Sequence, residues 1–192
     1  MTVTFWFDPS CPYTWRTSRW LRAAAAARQE PVRWRLMSLA VLNADKDVPA
    51  EYQEPLRQSQ RASRVLAAAA AGYGDAGLDA AYTALGRRVH EEGQQLHRST
   101  VEAALGEAGL PGALMAAYDD DRHDTAVRAS HEESQQRVGQ EAGSPVLAVA
   151  DGPGFFGPIV TEVPAGDAAD QLYDAVRLLS AVPQFSELKR AR

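Results

Sequence analysis

The chain has 192 residues, a formal net charge of −5, 45% hydrophobic and 23% charged residues, and one cysteine. That length and balance predict a globular protein, either one domain or a small domain with a large insertion, able to bury a core. The lone Cys11 excludes a disulfide within the chain and a cysteine-based zinc or iron–sulfur centre in a monomer, and the acidic balance argues against nucleic acid as a partner.

Val3-Thr4-Phe5-Trp6-Phe7 is β-branched and aromatic and stops at Asp8-Pro9; it predicts a buried strand. Pro12 suits the first position of a helix. From there to Arg28, Trp15, Trp20, Leu21, Ala24 and Ala25 recur at helical spacing. Val32 to Met37 alternates apolar and charged residues, the pattern of a half-exposed second strand. Residues 39–143 look helical almost throughout. Glu51–Ala71 is closed by Gly72-Tyr73-Gly74, and Leu78–Glu92 by Gly93. Ser99 can cap a third helix that ends at Gly109-Leu110-Pro111. Gly112–Tyr118 predicts a short helical turn, and Asp124–Ala142 a long polar helix. Strand character returns at Pro145–Val149 and, after the turn Asp151–Gly154, at Phe155–Val160. Asp167–Ala181 predicts a final amphipathic helix.

The order is therefore β-α-β, a helical block, then β-β-α. This is an α/β pattern, that of a thioredoxin-like fold with a large all-helical insertion. Residues 1–38 and 144–192 supply the thioredoxin-like domain and residues 39–143 the insertion. No stretch approaches the roughly 18–20 apolar residues of a membrane span. The segment MTVTFWFDPSCP lacks the basic and long apolar regions of a secretory signal. A cytoplasmic location is expected, where Cys11 stays reduced.

Cys11 stands where a strand hands over to a helix. The first amides of a helix are unpaired and its dipole is positive there. Both favour thiolate, so a lowered pKa is expected; the bland alternative is a small buried hydrophobe. The second feature is Gly143-Ser144-Pro145, directly before a strand. Pro145 either opens that strand as an ordinary loop proline or forms a cis bond facing Cys11, with the Ser144 backbone turned to substrate.

The segment FWFDPSCPYTWRTSRW resembles the active-site region of the DsbA family, and more closely its actinobacterial mycothiol-dependent nitroreductases. MSLAVLN, GSPVLAV, FFGPIV and the terminal FSELKRAR agree in the same order. By resemblance, Cys11 matches the nucleophilic cysteine and Pro145 the cis-proline, and mycothiol or another low-molecular-weight thiol is the co-substrate. The family motif is Cys-Pro-x-Cys, whereas this chain has Cys11-Pro12-Tyr13-Thr14. Thr14 occupies the place of the resolving cysteine, so dithiol cycling within one chain is excluded and monothiol chemistry remains. The Thr14 hydroxyl either supports the Cys11 thiolate or merely caps the first turn.

Pro12, Tyr13, Asn43, Tyr52 and Ser144 are the substrate-binding candidates. Tyr13 should lie at the exposed helix start, while Asn43 and Tyr52 sit at the entrance of the helical block; capping and packing are the competing roles of the last two. Trp6 and Trp20 are assigned to the core. Arg16 and Arg19 are as consistent with solvation as with an anionic ligand. His90 and His97 are seven apart, and His123 and His131 eight apart, unlike an i, i+4 metal pair, so no metal is expected. Without a GxGxxG or phosphate-loop pattern, no tightly bound nucleotide is expected either. The partners implied are a small thiol and a small electrophile or disulfide such as a nitroaromatic, with a homodimer open. The competing functions are a kappa-class-like thiol S-transferase and a redox-inactive small-molecule-binding relative.

Overall fold

The computed structural model describes residues 1–139 and 141–189. The predicted stretch Val3–Phe7 forms strand β1, every residue of it buried. Its alternation feeds two cores, because successive side chains leave a strand on opposite faces. Val3, Phe5 and Phe7 join the larger apolar cluster, and Trp6 joins a smaller one with Met37, Val146 and Ala148. Helix α1 (Pro12–Ala27) follows, then strand β2 (Val32–Leu36). The second strand turns Trp34 and Leu36 inward and leaves Arg33 exposed, as its alternation requires.

The helical segment runs through α2 (Leu39–Leu42), α3 (Ala50–Gly86), α4 (Arg98–Glu107) and α5 (Asp124–Val138). Strands β3 (Val146–Val149) and β4 (Gly154–Phe156) and helix α6 (Asp167–Ser180) close the described chain. The sheet order is β2-β1-β3-β4. β1 pairs parallel with β2 and antiparallel with β3, and β3 pairs antiparallel with β4. This mixed sheet is the thioredoxin-like arrangement that the element order predicts.

Several boundaries differ from the sequence pattern. The two helices expected on either side of Gly72-Tyr73-Gly74 are continuous except at Gly74, whose φ of 65° and ψ of −163° break the helix at one residue. The last turn of the predicted Leu78–Glu92 helix takes π geometry over Arg87–Glu91. Helix α4 starts at Arg98, so Ser99 lies inside it and does not cap it. Helix α5 stops at Val138, where Gly139 turns to φ 92°. Strand β4 ends at Phe156 because Gly157 adopts φ 110°.

Packing explains why the helices settle where they do. The Phe7 and Tyr82 rings stack at 3.7 Å, which pins α3 to the end of β1. Trp15 meets the Tyr82 ring edge-on at 5.6 Å. On the α6 side, the Trp20 indole N–H donates to the Ala169 carbonyl at 3.0 Å. Trp6, Trp20, Phe5 and Phe7 are all fully buried. Burying side chains of this size stabilises a fold by about 1.5–3 kcal/mol each. The shared cluster places the C-terminal end of β1, the start of α1 and the C-terminal end of α3 around one point, beside Cys11.

Candidate active site

Cys11 is the N-cap of α1 and Pro12 fills the first helical position. The Cys11 amide donates to the Asp8 carbonyl at 3.2 Å, which closes a tight turn between strand and helix. Across the sheet edge the Ser144–Pro145 peptide is cis. It presents the Ser144 carbonyl to the sulfur, and the Cys11 Sγ–H donates to that oxygen at 3.6 Å. Cys11, Thr14, Ser144 and Pro145 are thus brought together, although Ser144 lies 133 positions from Cys11 and 130 from Thr14 in the chain.

Thr14 is fully buried and Ser144 nearly so. Their hydroxyls are hydrogen-bonded at 2.7 Å. Ser144 Oγ also accepts the Asp8 amide N–H at 3.0 Å. Thr14 therefore does more than cap the first turn: it ties the helix start to the proline loop. Its hydroxyl and its amide also hydrogen-bond Cys11, as does the Tyr13 amide.

The expected depression of the Cys11 pKa does not survive this burial. Removal from water pushes the thiol up; the Thr14 hydroxyl and amide and the Tyr13 amide pull it down, while the Asp8 charge adds to the rise. The net direction is upward, because losing hydration penalises the thiolate more than these hydrogen bonds recover.

The remaining candidates are placed differently. Pro12 is exposed and Tyr13 half-buried beside the sulfur turn. The Arg16 guanidinium lies 5.5 Å from the Tyr13 ring centre. Asn43 donates from Nδ2 to the Leu39 carbonyl at 2.7 Å, which closes the end of α2. Tyr52 is 57% exposed on the first turn of α3. Among the described residues no hydrogen bond joins either of these two to Cys11, Thr14 or Ser144.

Two residues that sequence reasoning passed over stand next to the thiol. Asp8 was legible only as the stop of a strand, yet its carboxylate is fully buried. His90, weighed only as a metal ligand, donates from Nε2 to the Pro9 carbonyl at 2.9 Å and stacks on Trp15 at 5.9 Å. Burial holds its pKa below the ordinary histidine value, so the ring is kept neutral. A residue before a Pro-x-Cys turn and a histidine at a helix end carry no pattern that marks them in advance. Among the described residues no group of three or more His, Cys, Asp or Glu side chains is placed to hold a metal ion.

A four-stranded mixed sheet with a cysteine at the start of its first helix and a cis-proline opposite defines a thiol-dependent oxidoreductase of the DsbA-like, thioredoxin-fold class. Residues 10–190 match the family model described as Rv2466c-like, mycothiol-dependent nitroreductase Rv2466c, and the chain belongs to that family. It is 33% identical to the uncharacterized protein Rv2286c of Mycobacterium tuberculosis, over all of this chain and 82% of that protein. Among solved structures it is similar to the cytosolic disulfide reductase DsbM from Pseudomonas aeruginosa, with a TM-score of 0.59, 20% identity, and coverage of 93% of this chain and 100% of that one. A 2-hydroxychromene-2-carboxylate isomerase superposes with a TM-score of 0.65 at 15% identity, covering 94% of this chain and 95% of that one. These two likenesses concern the fold.

Proposed function

We propose that the protein is a monothiol oxidoreductase that exchanges disulfides through Cys11, with mycothiol or a similar small thiol as reductant. One observation carries this reading: the only cysteine sits at a helix start against the Ser144–Pro145 loop, with Thr14 in place of a second thiol. Cys11 thiolate attacks one sulfur of a disulfide R–S–S–R. The Cys11–S–S–R bond forms and R–S⁻ leaves. The small thiol, as thiolate, then attacks the R sulfur, releases Cys11 thiolate and departs as a mixed disulfide with R. A second small thiol then attacks this mixed disulfide, forms the small thiol's own disulfide and frees the second R–S⁻, so two thiols are oxidised per disulfide bond reduced. The same stoichiometry covers a nitroaromatic: two thiols yield one disulfide, a nitroso group and one water.

In this reading Thr14 donates to the developing thiolate, and the Ser144 carbonyl and Pro145 align the incoming disulfide. Pro12 and Tyr13 border the approach. Asn43 and Tyr52 belong to the helical segment of residues 39–143, which acts as a lid over the thioredoxin-like part, and they meet bulky substrates there. The setting is a reducing one, the cytoplasm. Incubation with the disulfide of mycothiol, followed by intact-mass measurement, should show one adduct on Cys11 that added mycothiol removes. Absence of an adduct, together with full activity of Cys11→Ser, would end the proposal.

A second reading draws on the raised thiol pKa. A protonated Cys11 suits a kappa-class-like transferase, in which the Thr14 or Tyr13 hydroxyl activates a bound thiol for addition to an electrophile. Cys11→Ser separates the two, since it abolishes exchange and spares conjugation. A redox-inactive relative would bind small aromatic ligands and give neither.

A further inference from the structure

The Asp8 carboxylate collects donors from three separate segments. Oδ1 accepts the Ser10 amide at 2.8 Å and the Ser10 hydroxyl at 2.6 Å. It also accepts the Ser59 hydroxyl of α3 at 2.7 Å. Oδ2 accepts the Leu39 amide, the first of α2, at 2.7 Å. Four donors and no acceptor suit a carboxylate, whose oxygens only accept. The Asp8 main chain completes the arrangement, since its N–H holds Ser144 Oγ and its carbonyl takes the Cys11 amide. With Ser59 and Asp8 both wholly buried, water cannot replace a missing partner.

We propose that Asp8 is a positioning residue of the Cys11 site, which locks the entrance of the helical segment to the sulfur turn and the cis-proline loop. This rests on Cys11 being the reacting group. The residue touches neither substrate nor sulfur with its side chain; it fixes Ser10, Leu39 and Ser59, and through its backbone Ser144. Hydrogen bonds to a charged group are about twice as strong as neutral ones, so the clamp is worth more than its four contacts would be around an amide. Its cost is a negative charge near the thiol, which opposes ionisation of Cys11. Asp8 thus trades thiolate content for geometry.

That trade separates positioning from plain stability. Iodoacetamide alkylation of Cys11 across pH, and reduction of bis(2-hydroxyethyl) disulfide by mycothiol, are to be compared for the parent, Asp8→Asn and Ser59→Ala. In Asp8→Asn the alkylation midpoint should fall, with neutral-pH alkylation about threefold faster, while turnover drops about tenfold or more because misplaced groups are costly. Ser59→Ala keeps the charge: its midpoint should stay and its KM should rise. A folded Asp8→Asn protein with the parent's midpoint and turnover overturns the proposal. Should Asp8→Asn fail to fold, Ser59→Ala decides, and an unchanged KM overturns it. An inactive parent would count against the oxidoreductase reading, whereas the alkylation arm still reads Asp8.

Discussion

At the scale of single residues, the site is a thiol held back by burial, which the Thr14 hydroxyl and the Thr14 and Tyr13 amides offset only in part. Free Cys11 is pushed above the ordinary thiol value of about 8.5. Its alkylation rate should therefore keep rising beyond that pH, without a plateau below it. A midpoint near 6 would mean that the helix start outweighs desolvation. Thr14 is the main lever on this balance. Ser144 Oγ already accepts the Asp8 amide, so its own hydrogen is available to Thr14 Oγ1, leaving the Thr14 hydrogen to face sulfur. Thr14→Val keeps the shape and removes that donor. It should raise the alkylation midpoint further and lower turnover about tenfold, the cost of a hydrogen bond to a charged group at roughly 1.5–3 kcal/mol. Thr14→Ser should restore most of both. Equal pH profiles for Val and Thr would remove Thr14 from the chemistry.

At the scale of elements, legibility follows locality. Strand β1, helix α1 and the Cys11 turn are written in contiguous residues: a β-branched run, a proline at the first helical position, a cysteine between. Pro145 was visible because a proline at a strand's edge is itself a signal. The bond between Thr14 and Ser144 spans 130 positions and the Asp8–Ser59 bond 51, and no periodicity encodes either. The same holds for Gly86, which reads as an ordinary helical glycine. A Cβ there would lie 2.1 Å from the Trp15 ring. Glycine at this position lets α3 approach α1 closely enough for Trp15 to stack on His90 and to donate from Nε1 to Glu91 at 3.2 Å. Gly86→Ala should therefore overpack the junction and cost about 1–3 kcal/mol, read as a lower Tm in thermal melts. Gly106→Ala, with open space around its Cβ, is the control and should leave Tm within a degree or two or raise it, alanine being the better helix former. Equal effects at the two glycines would show that Trp15 yields to the new methyl group.

At the scale of the whole molecule, the helical segment is fastened to the segments that follow β1 and β2 by two histidines, His90 half-buried and His131 buried. His90 bonds the Pro9 carbonyl, and His131 of α5 accepts the Ser38 amide on Nδ1 at 3.4 Å. Burial lowers both pKa values, partly countered by the Pro9 carbonyl and the Asp8 charge at His90 and by Glu132 and Asp8 at His131. The folded state therefore keeps both rings neutral where the unfolded chain, titrating near 6.5, already binds protons. Stability is then fully present above about 6.5 and falls as pH drops from there towards the lower folded values. Carboxylate ion pairs act in a separate, more acidic window. Asp124 beside Arg64 and Glu107 beside Arg87 are held below the usual carboxylate range, and Asp120 at about 2. Thermal melts should thus show Tm falling between about pH 6.5 and 5, before those carboxylates titrate, by about 2–4 °C for each kcal/mol lost. The double variant His90→Asn, His131→Asn should be less stable at neutral pH and flat across that interval. Because His90 bonds Pro9 of the Cys11 turn and His131 bonds Ser38, next to the Leu39 amide that Asp8 holds, Cys11 alkylation corrected for thiolate content should rise over the same interval as the turn loosens. A wild-type melt that is flat down to about pH 5 would show that the two rings stay neutral at no cost, and would place the acid-sensitive joint of this fold elsewhere.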